Sequence, residues 1–200
     1  ELFPDLPPNN DGTPAKDTST VKDDDRPLSV DNVRVNEGSP YVVFTVTGAA
    51  NQLARLSLVD GTALVDANGV PQTDGSEDYG PGLEYWDPTA GTSGQWKPYT
   101  TGSTVALDGA GSLLVRTKIL PDSLDEGDHT FRLIATNTGG TSTPITQGIG
   151  TIDDHGGGEL FPDLPPNNDG TPAKDTSTVK DDDRPLSVDN VRVNEGSPYV

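Results

Sequence analysis

The sequence predicts an all-β protein whose central part is an antiparallel β-sandwich. Three observations predict it. Apolar residues fall in short runs of β-branched and aromatic type, separated by Gly, Pro, Asn and Asp every ~8–12 residues. No stretch shows a helical period of apolar residues. Gly and Pro together number 41 of 200 residues (23 and 18), which punctuates the chain into turns.

The strands follow in order. Leu28–Val35 is the first, with Val30, Val33 and Val35 apolar. The three-residue step from Val30 to Val33 breaks strict alternation and predicts a bulge. Asn36-Glu37-Gly38-Ser39-Pro40 is a turn, and Tyr41–Thr47 (YVVFTVT) is the second strand. Leu53–Val59 follows, with Leu56 and Leu58 on one face, and Thr62–Val65 reads as a short strand. Residues 66–82 form an acidic, Gly-rich loop whose tightest turn is Asn68-Gly69. Leu83–Trp86 and Gln95–Tyr99 are aromatic strands joined by a Gly-rich hairpin, with Trp86 and Trp96 the largest core candidates. Thr104–Leu107, Ser112–Leu120, Thr130–Thr136 and Ile145–Ile152 complete the set. This is the pattern of an immunoglobulin-like sandwich of about 7–9 strands, and with no cysteine its core is held by packing alone.

The strongest single signal is a repeat. Residues 159–200 reproduce residues 1–42 at all 42 positions, at an offset of 158 residues. A unit of that size is a domain with a linker, not a solenoid turn, so the chain reads as one full repeat and the opening of the next. Residues 1–26 are a Pro/Asp-rich linker, with Pro4, Pro7, Pro8 and Pro14 and the run Lys22-Asp23-Asp24-Asp25-Arg26. Residues 27–158 are the sandwich, 159–184 the same linker again, and 185–200 the first strand of a further repeat. Within the linker only Leu2, Phe3 and Leu6 could dock on a neighbouring domain. The surplus strand 185–200 predicts strand exchange with another molecule. Position 1 is Glu, and no leader is visible, which reads as an internal piece of a longer chain.

Charge narrows the function. The net charge is −19, with 32 acidic residues against 13 Lys and Arg. Such a surface repels nucleic acid and anionic lipid and attracts divalent cations. No run approaches the ~20 apolar residues that span a bilayer, so this segment does not insert directly. Catalytic signals are absent or misplaced. There is no Gly-x-Ser-x-Gly elbow, phosphate loop or His-Glu-x-x-His, and Ser19-Thr20-Val21-Lys22 lies in the linker, where nothing lowers the Lys pKa. The expectation is a protein that is not an enzyme.

Three acidic clusters fall on turns: Asn36-Glu37-Gly38, the run Asp122 to Asp128 with Asp125 and Glu126, and Asp153-Asp154. In an up-and-down sandwich these lie at one end. Their convergence is repulsive unless a cation neutralises it, and calcium takes carboxylate and carbonyl oxygens from turns. The candidate metal ligands are Glu37, Asp122, Asp125, Glu126, Asp128, Asp153 and Asp154, with Glu159 reaching in from the following linker. Solvated turn residues are the alternative reading. Tyr85, Trp86, Trp96 and Tyr99 form an aromatic set that either packs the hairpin or, exposed, contacts sugar rings or a protein ligand.

Certain runs carry a family resemblance. PLSVDNVRVNEGSPYVVFTVTGAANQLARLSL, GLEYWD, LLVRTKI, EGDHTFRLIATNTGG and GTIDD resemble, in order, repeats of giant Gram-negative RTX-type, biofilm-associated adhesins built from tandem immunoglobulin-like extender domains. VNEGS and EGD…F…GTIDD also resemble Calx-β repeats. The resemblance covers residues 27–155. It implies a calcium-stabilised sandwich that spaces a binding tip from the cell, exported to the cell surface and flanked by identical repeats in the same chain. The nonapeptide RTX repeat itself is absent here.

Overall fold

The computed structural model describes residues 26–66, 77–122, 124, 126–139 and 145–176. The surplus strand 185–200, the Asn68-Gly69 turn, Asp125 and residues 1–25 lie outside them. The described residues contain ten strands: β1 (Ser29–Val30), β2 (Val33–Asn36), β3 (Tyr41–Thr47), β4 (Leu53–Asp60), β5 (Glu84–Asp87), β6 (Gln95–Pro98), β7 (Val105–Ala106), β8 (Ser112–Lys118), β9 (His129–Asn137) and β10 (Ile145–Asp153). They form two five-stranded sheets, β1-β3-β8-β5-β6 and β2-β10-β9-β4-β7. This is an immunoglobulin-like β-sandwich.

The expected bulge in Leu28–Val35 is a change of sheet. Val30 pairs antiparallel with Val46 in one sheet, and Val33–Asn36 pairs parallel with Gly150–Asp153 in the other. The two residues at the crossing satisfy one sheet each. Asp31 accepts from the Thr45 N–H and Asn32 from the Ile149 N–H, at 2.7 and 2.8 Å. Short polar side chains thus replace the ladder bonds that the crossing strand leaves open. Thr62–Val65, expected as a strand, contributes only an isolated bridge from Val65 to Tyr79.

The core also departs from expectation. It is built on Phe44, Phe131 and Tyr79, all fully buried, with Val35, Val42, Val46, Leu56, Val115 and Leu133 around them. Phe131 stacks on Tyr79 at 4.3 Å and meets Phe44 edge-on at 5.9 Å. Tyr79 comes from the segment read as an acidic loop. Its phenol is buried because its hydroxyl donates to Asp60. Trp86 and Trp96 are half-buried and pack against the core from the β5–β6 hairpin. They stand directly opposite each other and meet edge to face at 5.5 Å.

The chain does not leave the sandwich at 158. Glu159 pairs parallel with Val35 of β2, Phe161 pairs antiparallel with Tyr41 of β3, and Leu160 pairs with Asp175. Because β1 covers β3 only at Val46 and Thr47, the Tyr41 end of β3 has an open edge, and Phe161 fills it. Leu160 and Phe161 are buried, Phe161 to 1 % exposure. The boundary read from sequence at 158 therefore falls inside the packed structure. The reason is that two apolar residues in a Pro-rich segment meet an unpaired seam between the sheets.

Candidate metal centre

The acidic pole follows from strand register. Asn36 and Asp153 are partners in the parallel pairing of β2 with β10, and His129 and Ile152 are partners in β9–β10. The turn after β2, the entry to β9 and the exit of β10 must therefore share one end. The route differs from an up-and-down sandwich, yet the three clusters meet. The Glu37 N–H donates to the Asp153 carbonyl (3.1 Å), and Glu37 Oε1 accepts from the Asp122 N–H (2.8 Å). Asp154 Oδ2 accepts from the N–H groups of Glu126 (2.6 Å) and Gly127 (3.1 Å).

One half of this pole carries its own counter-charge. Arg34, on β2, donates from Nε to Asp153 Oδ2 (2.7 Å) and from both Nη atoms to the two oxygens of Asp128 (2.7 and 2.8 Å). This bidentate fork is the geometry a guanidinium offers a carboxylate. Burial works against the Asp153 charge. The His155 N–H and Arg34 outweigh it and hold its pKa below the usual carboxylate value. Asp128, Asp153 and His155 could group around a metal. Arg34 already supplies the positive charge to both carboxylates.

The other half has no Arg or Lys partner among the described residues. Burial pushes the Glu37 carboxyl up to about 8, and the Asp154 carboxylate within hydrogen-bonding reach pushes the same way. Asp154 is 7 % exposed, and its Oδ1 is buried with no N–H or O–H donor among the described residues. Burial also opposes the Asp154 charge, but contacts from Glu37 and the Gly127 and Glu126 amides keep its pKa low. Two facing carboxyl groups of opposite tendency share one positive charge: a proton on Glu37, or a cation between them. Asp122 acts on both Glu37 and Glu126 electrostatically. Glu37, Asp122, Glu126 and Asp154 offer only oxygen donors, the kind a hard divalent cation takes. Among the described residues, the acidic and histidine groups whose ligand atoms lie within 4.8 Å of one another are Asp78, Glu126 and His129, and Asp128, Asp153 and His155.

Glu159 stands apart. Its carboxylate pairs with Lys174 at 2.6 Å, so it does not reach the pole. Residues 156–158 explain how the chain passes. Gly158 has φ +81°, and a Cβ there would meet the Val35 carbonyl carbon at 2.5 Å.

The sequence offers His129 at the entrance to β9 but not its partners. His129 Nδ1 lies 2.5 Å from Asp78 and 3.7 Å from Glu126. Burial disfavours the imidazolium, but Asp78 and Glu126 prevail and raise the His129 pKa. Asp78 lies in the loop before Tyr79, and no sequence spacing ties that loop to residues 126–129. The pair resembles half of a hydrolytic triad, but among the described residues no Ser or Thr hydroxyl is hydrogen-bonded to the ring.

The aromatic set is divided. Trp96 donates from Nε1 to the Leu164 carbonyl (3.1 Å), and the Arg116 guanidinium lies 4.3 Å above its ring. The Tyr99 hydroxyl accepts from the Leu56 N–H and donates to the Ser103 carbonyl. Tyr85 and Trp86 line an open cleft of about 680 Å³ with Asp87, Thr89 and Asn167.

No known family model matches the chain, and no curated protein matches it. Solved structures with related architecture include the CupB2 chaperone of Pseudomonas aeruginosa, with 13% identity, TM-score 0.36, covering 60% of this chain and 52% of that one. The periplasmic chaperone SfaE shares 11% identity at TM-score 0.36, covering 70% and 60%, and the E. coli chaperone DraB 11% at 0.35, covering 64% and 54%. The chain thus spans about half to three-fifths of those proteins. Likeness at this level carries no functional argument.

Proposed function

We propose that this chain is a structural extender module of a secreted adhesin on the surface of a Gram-negative bacterium. It spaces a distal binding region from the cell, is stiffened by calcium, and catalyses no reaction. One observation carries the reading: the opening of the next repeat is built into the fold of the preceding one. Residues 159–161 pair with both sheets, and burying Phe161 alone is worth roughly 1.5–3 kcal/mol. Docking of this segment shortens the stretch of linker free to swivel. An array of such units keeps its length, whereas flexible joints let a chain coil.

Calcium enters at the Glu37–Asp154 half of the pole. Residues 153–158 connect that pole directly to the docked segment, and the Asn36 side chain donates to the Gly157 carbonyl (2.8 Å). An ion there supplies the positive charge that Arg34 supplies next door, and it holds the exit of β10 against the turn after β2. The test is small-angle scattering of a multi-repeat protein in calcium and in chelator. A longer maximum dimension in calcium is expected, and equal dimensions would sink the stiffening role.

A second reading is supported by the cleft beside Tyr85 and Trp86, an aromatic wall flanked by polar groups that suits a carbohydrate or peptide ligand. Trp86 fluorescence titrated with a glycan panel tests it. No saturable change removes that reading.

A further inference from the structure

The segment 159–175 behaves as a plug in a groove, not as a spacer. Its backbone fills the seam between β2 and β3. The Phe161 N–H donates to Ser39 Oγ (2.8 Å), and that hydroxyl donates to the Tyr41 carbonyl (2.7 Å). Arg116 is 4 % exposed and lies 3.8 Å over the Tyr41 ring. Its two carboxylate partners are Glu84 from the sandwich (2.6 Å) and Asp163 from the plug (2.8 Å). Trp96 holds the Leu164 carbonyl. The far end folds back: the Asp175 N–H donates to the Leu160 carbonyl (2.9 Å), and Lys174 pairs with Glu159 and lies over the Phe161 ring. Recognition is therefore apolar at Leu160 and Phe161, anionic at Asp163, and main-chain elsewhere.

Every one of these groups exists twice. Residues 1–17 are identical to 159–175, so Leu2, Phe3, Asp5, Leu6, Lys16 and Asp17 repeat Leu160, Phe161, Asp163, Leu164, Lys174 and Asp175. We propose that the seam between β2 and β3 is an interaction surface for a second copy of this chain, whose residues 1–17 enter it in place of residues 159–175. The two occupants have the same chemistry, so only tethering separates them. The downstream copy is joined to the sandwich by three glycines, and such a tether confers an effective concentration on the order of millimolar. It excludes the trans copy until the tether or the plug is weakened. Exchange then joins molecules head to tail, a heterologous contact that adds one unit at a time. The proposal does not depend on calcium or on the adhesin reading.

The full chain tests it through three proteins: wild type, F161A and F3A/F161A. Sedimentation velocity at about 100 μM, well below the tethered effective concentration, reads the partner. Wild type should be monomeric, F161A should form concentration-dependent oligomers, and F3A/F161A should return to monomer. A monomeric F161A overturns exchange between molecules. A synthetic peptide of residues 1–17 reads the groove, using F3A/F161A as receptor. Saturable binding at least ~10-fold tighter than to wild type is expected, lost when the peptide carries F3A. Where F3A/F161A has lost its β-sheet circular dichroism, recovery of that signal on adding the peptide counts as binding. Neither binding nor recovery overturns the groove.

Discussion

The two halves of the acidic pole have similar residues and opposite electrostatics. Asp128 and Asp153 face Arg34, whose fork supplies three hydrogen bonds and a full positive charge. Glu37 and Asp154 have no Arg or Lys partner among the described residues, His155 only weakly favours the Asp154 charge, and Glu37 is driven toward protonation. Density of carboxylates is thus no measure of cation demand. What matters is whether a positive group already points into the cluster. The first half is a closed ion network, and the second is an incomplete one.

Calcium should break this symmetry most strongly. Binding to the folded form alone stabilises by RT ln(1 + [L]/Kd), about 2.7 kcal/mol at 100 times Kd. For a chain of this size that raises the melting temperature by roughly 5–10 °C. Thermal melts of wild type in calcium and in chelator measure it. E37Q and D154N should lose most of the difference, while R34M should keep it. A calcium response retained in D154N would move the site elsewhere.

Next in size is the closed half. R34M leaves Asp153 buried without its partner and should cost about 1–3 kcal/mol in chelator and calcium alike. D128N removes only an exposed partner and should cost less than about 1 kcal/mol. Denaturant midpoints rank the two. Equal losses would mean that Arg34 works only through its exposed contact.

The effect of pH has one sign for Glu37 and the opposite sign for Asp153 and Asp154. Glu37 has a folded pKa of about 8, above its ordinary value of 4.5. The folded state therefore holds the extra proton between those values. Its contribution is complete below the ordinary value and is lost as pH rises toward 8. Asp153 and Asp154 are depressed below 3.8, so their contribution is present above that value and lost as pH falls through the folded pKa. In chelator, stability should decline from pH 5 to pH 8 in wild type and decline less in E37Q, where the raised His129 alone still contributes in that window. Calcium should displace about one proton near pH 6, visible as a buffer-dependent binding enthalpy. No proton release at that pH would show that Glu37 does not ligate the ion.

Sequence patterning by itself determined the strands, because alternation and turn residues are local. β3, β4, β8, β9 and β10 lie within a residue or two of their expected bounds. It also determined the repeat; the three acidic turns meet through the parallel β2–β10 pairing and not through the up-and-down order expected of them. Tertiary structure alone decided three things. Whether Leu28–Val35 bulges or changes sheet depends on which edge each half finds, and local alternation is the same for both. The counter-charge at the pole comes from Arg34, 94 residues from Asp128 and 119 from Asp153, a distance in sequence across which no spacing rule operates. The fate of Leu160 and Phe161 was open for the same reason. Two apolar residues among prolines are a linker in isolation, and they become core only where a short β1 leaves the edge of β3 unpaired.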